Sequence, residues 1–254
     1  MRIRLLRHAT LLIETGGHRL LVDPMLGPQG SQPPVPETPN PRPNPIVPLS
    51  VTPLDAVSGI SAVLVTHLHG DHFDAPALGV VPRDRPVLCQ PRDLQMFVRA
   101  GLAPTAIEGT LDLEGIAITR TGGRHGTGAI GQEMGEVSGY VLRSPGEPSL
   151  YVAGDTIWCD EVAAAIAEHA PDVIVVNAGA ARFIHGDPIT MDADDVVATC
   201  RAAPDALVVA VHMEAMNHCG LDRAGLRAAV AAAGLDGRVA TPADGETLEL
   251  TFGA

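Results

Sequence analysis

Residues 63–72 have the sequence VLVTHLHGDH, in which an apolar, β-branched run leads directly into three histidines and an aspartate. The run begins at Ile60 and is bounded by glycine on one side and polar residues on the other, which predicts a buried strand over residues 60–66. Imidazole and carboxylate groups at the buried end of a strand cost free energy unless a partner satisfies them. The stretch therefore predicts a binding site at the end of this strand.

Histidine and aspartate together are typical ligands of zinc, manganese and iron, so we expect that partner to be a metal ion. The alternation of His67 and His69 places two rings on one side of the chain. Asp71 and His72 lie one turn further on and can face a second ion. A surface histidine cluster without function is the alternative interpretation, and the density of ligand-type residues disfavours it.

The rest of the chain alternates between strand and helix patterns. Residues 3–23 predict a β-meander with a turn at Thr15-Gly16-Gly17. Further strands are predicted at 87–89, 116–121, 137–142, 150–153, 173–176 and 206–211, and helices at 93–100, 160–169, 192–203 and 223–233. Runs of strands at both ends with alternating strands and helices between them predict a layered α/β architecture with two sheets and helices packed outside.

Residues 28–48 contain nine prolines in 21 positions, too many for regular hydrogen-bonded structure. A disordered linker between domains is one interpretation, but the 27 residues before it are too few to fold alone. We therefore predict a single domain over residues 1–254 in which residues 28–50 form a loop or flap.

The composition limits the partners and the compartment. Thirty acidic against 17 basic residues give a formal net charge of −13, which disfavours nucleic acid and anionic membrane surfaces as partners. All 17 basic residues are arginine, and without lysine the glycine-rich residues 122–128 cannot form a nucleotide-binding P-loop. The four cysteines lie far apart, as expected for reduced thiols, and no apolar run has the length of a signal peptide or a membrane span. We expect a cytoplasmic protein that acts on a small molecule, either as a monomer or as a homo-oligomer.

The motif HLHGDH, residues 67–72, resembles the HxHxDH motif of the metallo-β-lactamase-fold hydrolases. The opening sequence LLRHATLLIETGGHRLLVDP, residues 5–24, is similar to the meander that begins the branch of this superfamily containing the ascorbate-6-phosphate lactonases. The resemblance extends over essentially the whole chain. It implies an αββα four-layer sandwich with a metal site at one edge of the two sheets, and a metal-dependent hydrolase activity.

The resemblance also assigns the remaining metal ligands. His125 follows the strand 116–121, where the family has the third histidine of its first metal site, and Asp155 lies at a strand end, where the family has a bridging carboxylate. His212 ends an apolar strand as the family's last histidine does, so we assign it to the second metal in preference to His185. The implied dinuclear centre has His67, His69 and His125 on the first metal, Asp71, His72 and His212 on the second, and Asp155 between them.

Further residues are predicted to contact a metal ligand or the substrate. Asp23 ends the meander where family members carry a carboxylate, which implies that it orients a ligand, and the Pro-rich segment that starts just after it should cover part of the site. His8 takes the place of the family's meander histidine, preceded by Arg7 instead of the commoner glycine, and either contacts a ligand or packs between strands. The other residues assigned to the substrate pocket or its surroundings are His185, Asn217 and His218, of which the last two could instead form a capped turn.

These assignments predict a metal-dependent hydrolase. Two close metal ions would generate hydroxide at neutral pH and polarise a substrate oxygen, with Asp155 between the ions and Asp71 passing a proton to the leaving group. Zinc is the preferred metal, with manganese or iron as alternatives, and the branch resemblance implies a small lactone or a related ester or amide as substrate. The alternatives are a phosphodiesterase acting on a small phosphate ester, a mononuclear-iron dioxygenase or thiolester hydrolase on the same scaffold, and a non-catalytic metal-binding protein.

Overall fold

The computed structural model describes residues 1–251, so residues 252–254 of the predicted domain lie outside the described part of the chain. The elements in chain order are β1 (Arg2–Arg7), β2 (Thr10–Thr15), β3 (His18–Val22), α1 (Pro53–Ala56), β4 (Ala62–Leu64), α2 (Ala75–Val80), β5 (Pro86–Cys89), α3 (Leu94–Arg99), β6 (Ala103–Ala106), β7 (Thr110–Leu113), β8 (Ile116–Thr121), α4 (Gly128–Met134), β9 (Gly139–Arg143), β10 (Leu150–Val152), α5 (Asp160–His169), β11 (Val173–Asn177), α6 (Ala193–Ala202), β12 (Leu207–Val211), α7 (Arg223–Ala232), β13 (Val239–Ala240) and β14 (Thr247–Glu249). A short 3₁₀ turn, Pro91–Asp93, precedes α3.

The strands form two seven-stranded sheets. The first has the order β14-β1-β2-β3-β4-β5-β6, and the second has the order β13-β12-β11-β10-β9-β8-β7. Pairing within the meander is antiparallel, whereas β3, β4, β5 and β6 pair in parallel. In the second sheet β10, β11, β12 and β13 are likewise parallel. The parallel strands of each sheet therefore end at the same edge of that sheet.

The meander is fixed by the two-residue turn between β2 and β3. Gly16 and Gly17 have φ angles of +56° and +79°, so both lie in the region that glycine adopts without steric cost. Two positive φ values in a two-residue loop are typical of the hairpin turn whose twist matches that of the strands. The turn sets the register in which Ile13 pairs with Leu20.

Apolar side chains fill three layers of contact. Between the sheets, residues such as Ile13, Ile118 and Val175 form the sandwich core. Because side chains alternate along a strand, the neighbours of Val175 in β11, such as Ile174, face outward and pack against α5, α6 and α7. Residues of α1, α2 and α3, including Phe97, cover the outer face of the first sheet. The predicted αββα four-layer sandwich is confirmed.

Some elements were not predicted from the sequence, namely β6, β7, β13, β14 and the short helices α1, α2 and α4. The strand predicted over 60–66 pairs regularly only at Ala62–Leu64. It ends early because the backbone N–H of Thr66 donates to Asp23 Oδ1 (2.8 Å) instead of to a neighbouring strand. The longest helices have ten residues, and within residues 1–251 no helix combines the length and apolar character needed to cross a bilayer.

Candidate metal centre

The predicted site residues gather at the common edge of the two sheets, where central strands end. His8, Asp23 and His212 directly follow β1, β3 and β12, and Asp155 follows β10. His67 comes three residues after β4 and begins the loop that carries the histidine motif. Because the carboxyl ends of parallel strands meet at one sheet edge, the topology brings together side chains that are far apart in sequence.

A first group of possible metal ligands consists of His67, His69 and His125, each offering one ring nitrogen within 4.8 Å of the others. His67 Nε2 and His69 Nδ1 lie 2.9 Å apart. His125 donates from Nδ1 to the carbonyl oxygen of Ile189 (2.7 Å), which leaves its Nε2 directed to the cluster. The three nitrogens together form one potential binding site.

A second group consists of His8, Asp71, His72 and His212, again with one ligand atom from each within 4.8 Å. His8 Nε2 donates to Asp71 Oδ2 at 3.2 Å. The ring of His8 also packs on that of His212, with 3.6 Å between centroids. Of the two predicted alternatives for His8, these contacts favour the one in which it touches metal ligands.

Asp155 lies between the two groups and is almost completely buried. Its Oδ2 is 3.1 Å from His72 Nε2 and 3.5 Å from His125 Nε2, while its Oδ1 is 3.4 Å from His212 Nε2. The amide of Asn177 donates to Oδ1 (2.6 Å) and holds the carboxylate in place. One carboxylate thus contacts histidines from both groups.

Several buried atoms of the cluster indicate that it binds a cation. His72 Nε2 and His212 Nε2 are buried and have no hydrogen-bond partner among the described residues, although carboxylate oxygens lie nearby. An unpaired polar atom in the interior is costly, and a bound metal ion accepts the lone pairs of such nitrogens. Neutral imidazoles and carboxylates are also the donor set that zinc, manganese and iron bind. The residues present therefore fit a metal centre.

Asp23 orients two of the possible metal ligands, one through a direct hydrogen bond and one through Thr66. Its Oδ2 accepts hydrogen bonds from Thr66 Oγ1 (2.7 Å) and from His72 Nδ1 (2.8 Å). With Nδ1 of His72 donating to this carboxylate, Nε2 is the nitrogen left to bind metal. The hydroxyl of Thr66 in turn lies 3.1 Å from His67 Nδ1, so one aspartate fixes ligands that belong to both groups.

Three non-glycine residues of the site adopt a left-handed backbone conformation. The φ angles are +59° at His8, +44° at Asp23 and +64° at His212, each directly after a strand. Such conformations cost about 1–3 kcal/mol and occur mostly where function constrains the chain. At Gly179, a side chain would place its Cβ 2.2 Å from the carbonyl oxygen of His212, so only glycine fits against this turn.

Burial and neighbouring charges set the protonation of the cluster. Burial lowers the pKa of His67 and His125 below its ordinary value, so their lone pairs are free. Burial would also lower the pKa of His72, but the charge of Asp155, followed by those of other carboxylates, raises it well above its ordinary value. The same carboxylate raises the pKa of His212. Without a metal ion, the neighbouring carboxylates therefore favour the protonated form of these two rings, and a bound metal ion would take the place of the proton on each Nε2.

A small cavity opens directly beside the cluster, with a volume of about 250 Å³. Its polar lining includes His69, Asp71, His125, Asp155 and His218. The remaining walls are mostly apolar and come from three separate segments of the chain: Val35 in the Pro-rich segment, Met134 in α4, and Phe183 and Ile189 in the loop between β11 and α6. A bound molecule would have its reacting group at the cluster and its remaining atoms against apolar side chains.

A family model for a beta-lactamase superfamily domain matches residues 18–213, which include all seven predicted metal ligands. The chain belongs to the beta-lactamase superfamily. Over 252 residues it is 36% identical to the UPF0173 protein YddR of Bacillus subtilis (strain 168), covering 97% of this chain and 99% of that protein.

Two solved structures are similar to this superfamily member over almost its whole length. A possible metal-dependent hydrolase from Veillonella parvula DSM 2008 has a TM-score of 0.95 at 31% identity, covering 98% of this chain and 99% of the other. An isothiocyanate hydrolase from Delia radicum gut bacteria has a TM-score of 0.93 at 32% identity, with the same coverage. The protein is a metal-dependent hydrolase of the metallo-β-lactamase fold.

Of the three residues assigned to the substrate pocket or its surroundings, one lines the cavity and two do not. His218 is buried, lines the cavity and has its Nε2 3.8 Å from Asp71 Oδ2. Burial lowers its pKa to about 4, so the ring is neutral at neutral pH. His185, which was assigned to the substrate pocket or its surroundings, is exposed and is not among the residues that line the cavity. Asn217 is buried but contacts the Pro-rich segment instead of substrate or a ligand.

Sequence reasoning missed Asn177 and the four apolar residues of the cavity wall. Asn177 ends the apolar run of β11, so the rule that strand ends deliver functional side chains would have found it. The wall residues lie in loops or in the short helix α4 and carry no comparable local signal. Only the fold brings them together.

Metal binding to the hydrolase after removal of metal with a chelator is expected to release protons at pH 7, because the pKa values of His72 and His212 are raised and both rings would have to lose a proton to act as ligands. The release should become smaller as the pH rises, since fewer of the two rings are then protonated beforehand. Titration calorimetry in buffers of different ionisation enthalpy measures the number directly. Metal uptake at pH 7 without proton release would contradict the protonation state inferred from the structure.

Proposed function

We propose that the cluster holds two divalent metal ions and that the protein hydrolyses a small, uncharged carboxylic ester, preferably a lactone, or an amide. The observation that supports two ions is the presence of two ligand groups with the carboxylate of Asp155 between them. The first ion would be held by His67, His69 and His125, and the second by Asp71, His72 and His212. When bound, such ions lower the pKa of water and polarise the substrate carbonyl.

Asp71 is the residue placed to move a proton. It lines the cavity, and its pKa is held low because nearby histidines, His72 first among them, outweigh the effect of burial. Its Oδ2 accepts from His8, whereas its Oδ1 makes no hydrogen bond to another described residue. Oδ1 can therefore accept a proton from the attacking water and donate it to the leaving oxygen or nitrogen. The neutral ring of His218 lies beside Asp71 and can hydrogen-bond the substrate.

The cavity supports a small substrate without a negative charge. None of its described lining residues is an arginine, and the chain has no lysine, so a negatively charged group away from the proposed metal ions would find no cationic side chain. Resemblance to the lactonase branch supports a lactone, but not a phosphorylated one. The proposed metal ions would themselves bind a phosphodiester, so turnover of such a substrate decides the phosphodiesterase alternative.

A second candidate substrate is an isothiocyanate, favoured by the similarity to the isothiocyanate hydrolase at 32% identity over 98% of the chain. Water would add to the central carbon of R–N=C=S to give a thiocarbamate, which breaks down to the amine and carbonyl sulfide. The group R is commonly small and apolar, as the cavity walls require. This reaction and ester hydrolysis share an attack on an electrophilic carbon.

A substrate panel distinguishes these candidates. The metal content of protein purified without added metal is measured first, followed by turnover of γ- and δ-lactones, a simple ester, an anilide, allyl isothiocyanate and a phosphodiester. We expect two metal equivalents and hydrolysis of a lactone or ester. Turnover of isothiocyanate alone would favour the second candidate, whereas turnover of the phosphodiester alone would contradict both.

A further inference from the structure

Among the described residues, Val35 is the one member of the Pro-rich segment that lines the cavity. In this position it shares the cavity with His69, Asp71 and Asp155, which belong to the metal centre. The segment is therefore a wall of the site, and Val35 is the point at which it limits the space for substrate.

Asn217 fixes the backbone on both sides of Val35. Its Oδ1 accepts from the N–H of Val35 (2.9 Å) and from the amide of Asn44 (2.7 Å), and its Nδ2 donates to the carbonyl oxygen of Val35 (3.1 Å) and to Thr38 Oγ1 (2.6 Å). The backbone N–H of Asn217 also donates to Asn44 Oδ1 (2.9 Å). Asn217 and Asn44 are both buried, so the bonds between them and the bond to Thr38 are shielded from competing water, while the two bonds to the backbone of Val35 are part-buried.

The two ends of the segment are also tied to the fold by hydrogen bonds. The guanidinium of Arg7 is fully buried and donates to the carbonyl oxygens of Met25 (2.7 Å), Gly27 (3.0 Å) and Val47 (3.3 Å), at both ends of the segment. Burial lowers the pKa of Arg7 to about 10, so it stays charged at neutral pH. Proline itself reduces the number of conformations open to the chain. The segment is thus held by hydrogen bonds at its middle and near both ends, which opposes its displacement by a larger ligand.

We propose that Val35, held by Asn217, determines the largest substrate group that fits beside the metal centre. This inference rests on the proposed function, because it concerns the substrate of that same site. A fixed backbone makes the size of one side chain decisive: removing the two methyl groups of Val35 enlarges the cavity, and a longer side chain fills it. Asn217 is a positioning residue that acts through Val35 and does not touch the substrate.

The test uses the metal-loaded protein and a series of straight-chain alkyl hydroxamates, which bind metal ions through their head group and need no turnover. For wild type, affinity should fall beyond a certain chain length. Val35→Ala should strengthen the binding of longer members about 10-fold relative to acetohydroxamate, the scale at which pockets discriminate by a methylene group. Val35→Phe should weaken the binding of all but the shortest member. Val98→Ala, the same change at an exposed position of α3 away from the cavity lining, should leave the series unchanged.

The role of Asn217 is tested by hydrogen exchange of the peptide that contains Val35. Asn217→Ala should speed exchange of the Val35 amide at least about 10-fold and weaken the chain-length limit, whereas Asn40→Ala, at an exposed position of the same segment, should change neither. Metal content should stay at the wild-type value in every variant. An unchanged chain-length limit in Val35→Ala overturns the inference, even if turnover of the substrate panel supports the proposed function. Absence of turnover with a shifted limit would overturn the proposed function alone.

Discussion

Asp155→Asn is expected to reduce the bound metal from two equivalents to one or fewer and to lower kcat/KM about 10³-fold or more, since metal ions supply several kcal/mol of transition-state stabilisation. The reason is the position of its carboxylate, within 3.5 Å of His72, His125 and His212 in both ligand groups. The asparagine has nearly the same shape but carries no charge and has one oxygen fewer. Metal analysis and turnover on the same preparation measure both effects.

The matched control is Asp205→Asn, which makes the same change at an exposed position before β12. Its metal content and kcat/KM should equal those of wild type. Circular dichroism should show that Asp155→Asn is still folded, because the amide of Asn177 can bond the remaining oxygen. Two bound equivalents and wild-type turnover in Asp155→Asn would contradict its place between two metals.

The strands that position the site could be predicted because they are buried on both faces. β11 and β12 consist of apolar residues along almost their whole length, a pattern that few other structures produce. Once a strand is recognised, the residue that follows it is a candidate for the sheet edge, which is how His212 was preferred to His185. The sequence motif at residues 67–72 then indicated what these strand ends bind.

The detailed geometry of the second ligand group could not be predicted. Whether the ring of His8 faces the cluster depends on the left-handed backbone conformation of this residue, with φ of +59°. Histidine adopts this conformation too rarely for the local sequence to predict it. The four-layer fold imposes it, because His8 must turn sharply after β1 and its carbonyl oxygen accepts from the N–H of His212 (2.9 Å). The sequence therefore left open whether His8 contacts a ligand or packs between strands.

The role of Asn217 was hidden for a different reason. Its partners Val35, Thr38 and Asn44 lie more than 170 positions earlier in the chain. A local pattern around Asn217 shows only a polar residue after a strand, which suggested contact with substrate. The side-chain amide of Asn217 instead forms its hydrogen bonds with the Pro-rich segment. Contacts between residues so far apart in the sequence are set by the complete fold and not by the local sequence.

His212→Ala is expected to remove one of the two metal equivalents and to lower kcat/KM about 10³-fold, since the second site would lose a ligand needed for the chemistry. The side chain is fully buried, its Nε2 is unpaired among the described residues, and it lies 3.4 Å from Asp155 and 3.7 Å from Asp71. Metal content and turnover of the best panel substrate measure the loss. Metal added in excess should restore occupancy only in part.

His185→Ala is the matched comparison, because it deletes the same side chain from an exposed loop. We expect wild-type metal content, kcat and KM, since His185 lines neither the cavity nor a ligand group within the described residues. Because both variants lose an imidazole, a difference in metal content or turnover between them is due to where the histidine lies in the fold. A metal deficit in His185→Ala with full occupancy in His212→Ala would mean that the end of β12 does not deliver the last ligand, and the assignment of the second metal would have to move to the loop.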